Sequence, residues 1–345
     1  MPDRLHPAAW WVWALALGTA ASRTTNPWLL LLAVAVAGYV VAARRSDEPW
    51  AGSYLVFLKF GLAAVGFRLV MHALLGGVEG ETVLFSLPEV PLPGWAKGIR
   101  LGGPVTAEGV VASLYDGMRL AALLACLGAA NALANPKRLL RSMPAALYEV
   151  SVAVTVGLTV APQLVASVKR VWRARELRGD TKRRARTVLV PVLTDALDRS
   201  LALAAAMDSR GYGRRGPGSK LAGGLVLAGL LGACFGLYGL LDGTGPAAAG
   251  AVVLVLGFGL ATAGLVVGGR RVGRTTYRPD RWRAPEFLTV ASGLVPAVVM
   301  AVFPDGLSPA FAPLALPALP VLPAAGLLVA LLPGFVAPAP SRGTK

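Results

Sequence analysis

Long apolar stretches separated by short polar ones dominate the chain: residues 8–21, 28–43, 54–74, 107–130, 221–241, 248–268, 286–303 and 314–332 are each predominantly hydrophobic. Several approach the roughly 20 residues an α-helix needs to cross a hydrocarbon core, and others are shorter. The pattern predicts about eight membrane-spanning helices. A further apolar run, residues 146–168, contains Pro162 and Gln163 and is followed by nine bases between Lys169 and Arg186, set against Glu176 and Asp180 alone. If it crossed, those bases would lie on the side opposite to Lys137, Arg138 and Arg141. It is therefore expected to be a long helix at or below the inner membrane surface, kinked at Pro162.

Charge sets the orientation. With the N-terminus inside, the inner segments carry Arg44 and Arg45, the block from Lys137 to Lys220, the stretch from Arg270 to Arg283, and Arg342 with Lys345. The outer segments are poor in bases: Arg23, then Lys97 and Arg100 among acids, then Asp242, then Asp305. This matches the excess of Lys and Arg on the cytoplasmic side of membrane proteins. The block from Lys137 to Lys220 has 17 bases and 6 acids, a net +11 of the chain's +16. The expected class is an all-α polytopic membrane protein. An N-terminal membrane region (1–136) and a C-terminal one (218–345) flank a cytoplasmic block of long helices (137–217) between the fourth and fifth spans. Residues 76–106, rich in Gly and Pro, read as an outer loop or short hairpin. The prolines between Phe303 and Pro340 predict that the last two spans are short or broken. The first apolar run reads as a retained helix, with no separate targeting segment.

Composition excludes several function classes. With 55% hydrophobic and only 15% charged residues, the chain has too little polar surface to coat a soluble globule, so its positive charge orients it in a bilayer and does not bind nucleic acid. Cys126 and Cys234 both lie in apolar runs, where a thiol packs as a small hydrophobe. His6 and His72 are far apart, with no ligand spacing around them, so no metal site is expected. Gly216-Pro217-Gly218-Ser219-Lys220 lacks the order of a phosphate-binding loop, and no Gly-Lys-Ser or Gly-Lys-Thr occurs, so energy for any transport must come from another subunit. No catalytic cluster and no cofactor are expected. Among intramembrane charges, Lys59 and Arg68 lie near opposite ends of their span and can snorkel, while Asp116 and Arg119 are expected to pair.

Candidate function concentrates in a repeat. Ala174-Arg175-Glu176-Leu177-Arg178-Gly179 and Ala206-Met207-Asp208-Ser209-Arg210-Gly211 share the pattern Ala-x-acid-x-Arg-Gly at a spacing of 32 residues, both within the basic block. Each reads as a helix end, with Gly just past the last turn and Arg complementing the helix dipole. The first long helix is expected to end at Arg178-Gly179. The second is expected to open near Pro191, to end at Arg210-Gly211, to carry Leu193, Leu197, Leu201 and Ala204 on one face, and to pair Asp195 with Arg199 on another. Capping requires neither the Ala nor the acid. A duplicated end presenting a guanidinium fork suits carboxylate-lined grooves on a partner made of two similar subunits.

These residues resemble a known family, the transmembrane T component of energy-coupling factor (ECF) transporters, the CbiQ/EcfT family. The resemblance is carried by Leu5-His6-Pro7, Asn135-Pro136 with Leu139-Leu140 and Pro144, Pro162, Leu177-Arg178-Gly179, and Ala206 to Gly211 with Tyr212. It runs from about residue 5 to 241, so the spans past residue 270 stand as an extension of a family core of five to six spans. In that family both motifs usually read Ala-Arg-Gly. Here Leu177 and Ser209 replace the Ala, while Arg and Gly remain. The resemblance implies a non-enzymatic subunit that transmits ATP hydrolysis from two ABC-type ATPase subunits to a substrate-binding membrane subunit, for uptake of a vitamin or transition-metal ion. It further implies that Arg178 and Arg210 are the ATPase contacts, with Gly179 and Gly211 shaping the ends, and that the protein lies in a prokaryotic cell membrane. The alternative is a stand-alone secondary permease, with Asp116 and Arg119 in its ion path.

Overall fold

The structure, a computed structural model, describes residues 5–46, 48–75, 80–90, 101–179, 185–211, 220–242, 247–270, 282–309 and 316–338. The elements in chain order are α1 (Pro7–Ser22), α2 (Pro27–Arg44), α3 (Ser53–Leu75), β1 (Val83–Val90), β2 (Leu101–Thr106), α4 (Ala107–Leu133) and α5 (Pro136–Arg141). They continue with α6 (Tyr148–Leu177), α7 (Ala185–Ser209), α8 (Lys220–Asp242), α9 (Ala247–Arg270), α10 (Ala284–Val302), α11 (Val321–Val329) and α12 (Pro333–Val336). The chain is thus an all-α polytopic membrane protein, with one small antiparallel hairpin between α3 and α4, where a loop or hairpin is expected.

Seven helical segments among the described residues are long and apolar enough to cross a membrane: Pro27–Arg44, Trp50–Leu75, Ala107–Leu133, Ala145–Leu177, Lys220–Gly239, Ala249–Arg270 and Ala284–Val302. The set differs from the expected eight at three places. Helix α1 has only 16 residues. Within the run at 314–332 the described residues form one short helix, the nine-residue α11, which starts after Pro320, and the four-residue α12 follows from Pro333, a residue that cannot donate a helical hydrogen bond. The segment ending in α6, set apart above on charge, is as long and as apolar as a span.

The chain divides into two compact units, Met1–Leu139 with Pro279–Lys345, and Leu140–Arg278. In the first, α1 and α2 open with the same device. His6 Nδ1 accepts from the Ala8 N–H and Asn26 Oδ1 from the Trp28 N–H, each followed by a proline at the first helical position. On α4 the residues Ala122, Ala125, Cys126 and Ala129 fall on one face and are fully buried, so that α1 and α2 approach closely. Trp13, Leu17, Leu29, Leu30, Val36 and Val40 fill the core beside them.

The C-terminal extension completes this core. Helix α10 lies on α1, and a Cβ on Gly293 would sit 2.8 Å from the Trp13 Cα. The Trp13 indole N–H donates to the Ala330 carbonyl at 3.2 Å, past the end of α11. Thr24 Oγ1 donates to the Leu307 carbonyl, and Asn26 Nδ2 to the carbonyls of Gly306 and Ala318. Each bond satisfies a backbone group that the proline-rich segment leaves without a helical partner.

In the second unit α8 and α9 form a hairpin packed through glycines. Cβ atoms added to Gly229, Gly236 and Gly257 would strike the backbones of Ala261, Leu254 and Ala233 respectively. Such close approach is what small residues permit between membrane helices.

Candidate functional site

The two Arg-Gly ends have the same backbone construction. At the end of α6 the Arg178 N–H donates to the Arg175 carbonyl at 3.0 Å and the Gly179 N–H to the Glu176 carbonyl at 3.0 Å. At the end of α7 the Arg210 N–H donates to the Met207 carbonyl at 3.1 Å and the Gly211 N–H to the Asp208 carbonyl at 2.9 Å. Gly179 and Gly211 take φ of +75° and +78°, the left-handed region that costs any residue with a Cβ. Both lie in open space, so conformation and not crowding is what calls for glycine.

Side chains around both ends face outward. Ala174, Glu176, Arg178, Ala206, Asp208, Ser209 and Arg210 are exposed, and Leu177 is 84% exposed. The two positions where Ala is replaced behave differently. Ser209 turns its hydroxyl back onto the Ala206 carbonyl at 2.9 Å, whereas Leu177 presents bare apolar surface beside Arg178. Tyr212 lies outside the described residues.

Helix α7 opens at Ala185, six residues before the expected start near Pro191, which lies inside the helix. Helix α6 likewise runs through Pro162 without interruption. Leu193, Leu197 and Leu201 line up as expected, but they are 50%, 63% and 69% exposed. The covered face of α7 is another one: Val188 and Val192 are buried, and Asp195 follows on the same face.

Asp195 is the tie between the two helices. Its Oδ2 accepts from the Ser167 hydroxyl at 2.7 Å and lies 3.5 Å from Arg170 Nη2, both on α6. Its Oδ1 accepts from Arg199 Nε at 3.0 Å, the pair expected from the sequence. The Ser167 hydroxyl, with Arg199 and Arg170 adding to it, holds the Asp195 carboxyl below the ordinary carboxylate range. Ser167 is itself buried. Sequence reasoning missed Ser167 and Arg170, because no local spacing links them to a residue 28 or 25 positions away. At a 1.5 Å rise per residue, α6 continues about 15 Å beyond Ser167 and α7 about 21 Å beyond Asp195 before the two arginines.

The intramembrane charges pair otherwise than expected. Asp116 Oδ2 accepts from Arg68 Nη2 at 3.0 Å, across from α3 to α4, and not from Arg119 on its own helix. The reason lies in packing: Gly117 seats the α3 backbone at Val65, with a Cβ there 3.0 Å from the Val65 Cα, and this brings Arg68 level with Asp116. Among the described residues no group of three His, Cys, Asp or Glu is placed to hold a metal ion.

Apolar helices of spanning length and two matched helix ends define a multi-pass membrane protein. Residues 1–219 match the family model described as CbiQ, Cobalt transport protein, and the chain belongs to that family of transport-related membrane proteins. The matched region contains α1 to α7 and therefore both Arg-Gly ends, while α8 to α12 lie beyond it. No curated protein matches the chain.

Proposed function

We propose that this chain is the T component of an ECF-type ABC importer, a non-enzymatic subunit that couples two cytoplasmic ATPase subunits to a separate substrate-binding membrane subunit. The observation that carries this reading is the pair of matched helix ends. Identical caps set Arg178 and Arg210 in equivalent, exposed positions on two helices that Asp195 ties together. Each arginine offers a planar, bidentate fork to a carboxylate on an ATPase.

Cytoplasmic placement of residues 137–217, between membrane regions 1–136 and 218–345, follows the excess of bases, with the N-terminus inside and the protein in the cell membrane of a prokaryote. When the ATPases close on ATP, the two ends shift relative to each other and the segments beyond the Ser167–Asp195 tie act as lever arms. Gly223 and Gly224 on α8 have nothing within 4 Å and offer an open face to the substrate subunit, whereas Gly229 is taken up by α9. A transition-metal ion or a vitamin is the cargo class; the family description fits the former.

The test is a mild-detergent pull-down of the tagged chain from its native membrane, with and without Arg178→Ala plus Arg210→Ala. Removing one partner of a desolvated charged pair costs about 2–5 kcal/mol, so two ATPases that co-purify with the unmutated chain are lost from the double variant. Full uptake with normal assembly in that variant sinks the claim. Uptake without any ATPase, sensitive at Asp116 and Arg119, establishes the stand-alone permease instead.

A further inference from the structure

Helix α3 is the least covered span of the first unit. Helix α10 lies on α1, α11 and α12 lie on α2, and α4 packs against α1, α2 and α3, whereas among the spanning helices α3 packs mainly on α4. Of its 23 residues only Tyr54 and Gly61 are buried. The open surface beside α4 is not uniformly apolar. Arg68 and Asp116, joined at 3.0 Å from α3 to α4, have side chains 57% and 43% exposed. Around them the two helices expose Phe60, Phe67, Leu120 and Leu127, the last two on the same side of α4 as Asp116.

Depth makes that exposure costly. At 1.5 Å per residue Arg68 lies about 10 Å from the end of α3 and Asp116 about 13 Å from the start of α4. The spans Trp50–Leu75 and Ala107–Leu133, 26 and 27 residues long, overshoot a hydrocarbon core of about 30 Å by about 5 Å at each end, which places both charged groups inside the core. Asp116 is too short to reach the interface, and its bond holds Arg68 at the same depth. Among the described residues the pair has no further polar partner, so the bond from Nη2 leaves donors of Arg68 and lone pairs of Asp116 unused. Lipid chains offer nothing to meet them, and charged groups within membranes face protein or water for that reason.

We propose that this face of α3 and α4 is where a spanning helix of the substrate-binding subunit packs, with neutral hydroxyl or amide side chains that complete the hydrogen bonding of Arg68 and Asp116. The pair is internally neutral, so a further charge brought against it in hydrocarbon would stand uncompensated, whereas Ser, Thr, Asn or Gln supply both donors and acceptors. Phe60, Phe67, Leu120 and Leu127 provide the apolar surround that keeps lipid and water off such a contact. The substrate-binding subunit is the occupant because it is the membrane partner that the coupling reading requires, and because α10 to α12 already cover α1 and α2 and leave α3 open. The inference rests on that reading and adds a contact to the one offered by Gly223 and Gly224 on α8.

The experiment co-expresses the tagged full chain with its two ATPases and with the membrane protein that binds the transported substrate, and scores each of them after mild-detergent purification. Arg68→Leu plus Asp116→Leu removes both charges together, a change that leaves the chain itself folded, with an unchanged or higher melting temperature. Recovery of the substrate-binding subunit falls about tenfold, the equivalent of one hydrogen-bonded contact between membrane helices, while both ATPases are retained. If that variant does not fold, p-benzoylphenylalanine in place of Phe67, with the ion pair intact, decides: photolysis joins the chain to the substrate-binding subunit from this position and not from Leu288, exposed on α10. Unchanged recovery in the folded double variant, or cross-links from position 67 only to lipid, to a second copy or within the chain, overturns the proposal and leaves the coupling reading standing. Absence of both ATPases from the unmutated chain overturns the coupling reading and this inference with it.

Discussion

Ser167 and Asp195 meet at 2.7 Å, hydroxyl to carboxylate, and this contact joins two helices whose ends carry the same Arg-Gly signature. Together with Arg199 and Arg170 it favours the ionised form of the Asp195 carboxyl. The depressed carboxyl pKa means that this contribution to stability is fully present above the unfolded-state value and is lost as pH falls through the folded one.

Ser167→Ala removes the principal cause of that depression. The Asp195 carboxyl then titrates closer to the ordinary carboxylate range, read from its side-chain carbon resonance as pH is lowered. An unchanged titration in the variant refutes the assignment of Ser167 as the leading partner.

Gly179→Ala and Gly211→Ala each place a Cβ in the left-handed region and are expected to cost about 1–2 kcal/mol, seen as frayed helix ends and a lower melting temperature. Gly224→Ala is the control. It adds a Cβ in open space, lies within α8 and has no left-handed φ, so it should be neutral or slightly stabilising. Equal effects of all three would remove the case for special caps.

Gly257→Ala drives a Cβ into the backbone of Ala233, where no flexible side chain can yield. Overpacking of this kind costs about 1–3 kcal/mol, so the α8–α9 hairpin separates or shifts, measurable as increased cross-linking access or a lower unfolding midpoint in detergent.

Trp13→Phe keeps most of the buried ring but drops the hydrogen bond to Ala330, leaving that carbonyl unsatisfied at a cost of about 1–3 kcal/mol. Trp13→Ala is expected to cost about 3–5 kcal/mol and to loosen α10 as well, because Gly293 packs directly on this residue. Proteolysis within residues 303–338 should accelerate in both variants.

Arg68→Gln leaves the Asp116 carboxylate without its partner on α3, whereas Arg119→Gln leaves the Arg68–Asp116 bond intact. Thermal stability in lipid nanodiscs therefore falls in the first variant and not in the second, and an Arg68→Asp plus Asp116→Arg exchange recovers part of the loss. A larger loss from Arg119→Gln would restore the pairing expected from sequence spacing.

What the sequence by itself determined is local. Apolar runs set most of the helices, His6-Pro7 and Asn26-Pro27 set where two of them begin, and Gly179 and Gly211 set where two others stop. Caps and periodicity act within about one turn of helix, so they can be read in order along the chain. The Asp195–Arg199 pair was legible for the same reason, being one turn apart. Tertiary structure alone decided which faces meet. It turned Asp195 onto Ser167, drew Asp116 to Arg68 in place of Arg119, left Leu193, Leu197 and Leu201 exposed, and closed the proline-rich C-terminal segment over Trp13 and Asn26. These outcomes depend on the rotation and register of helices packed through small residues such as Gly117 and Gly293. Residues as far apart in the chain as Trp13 and Ala330 come together only when that packing is complete.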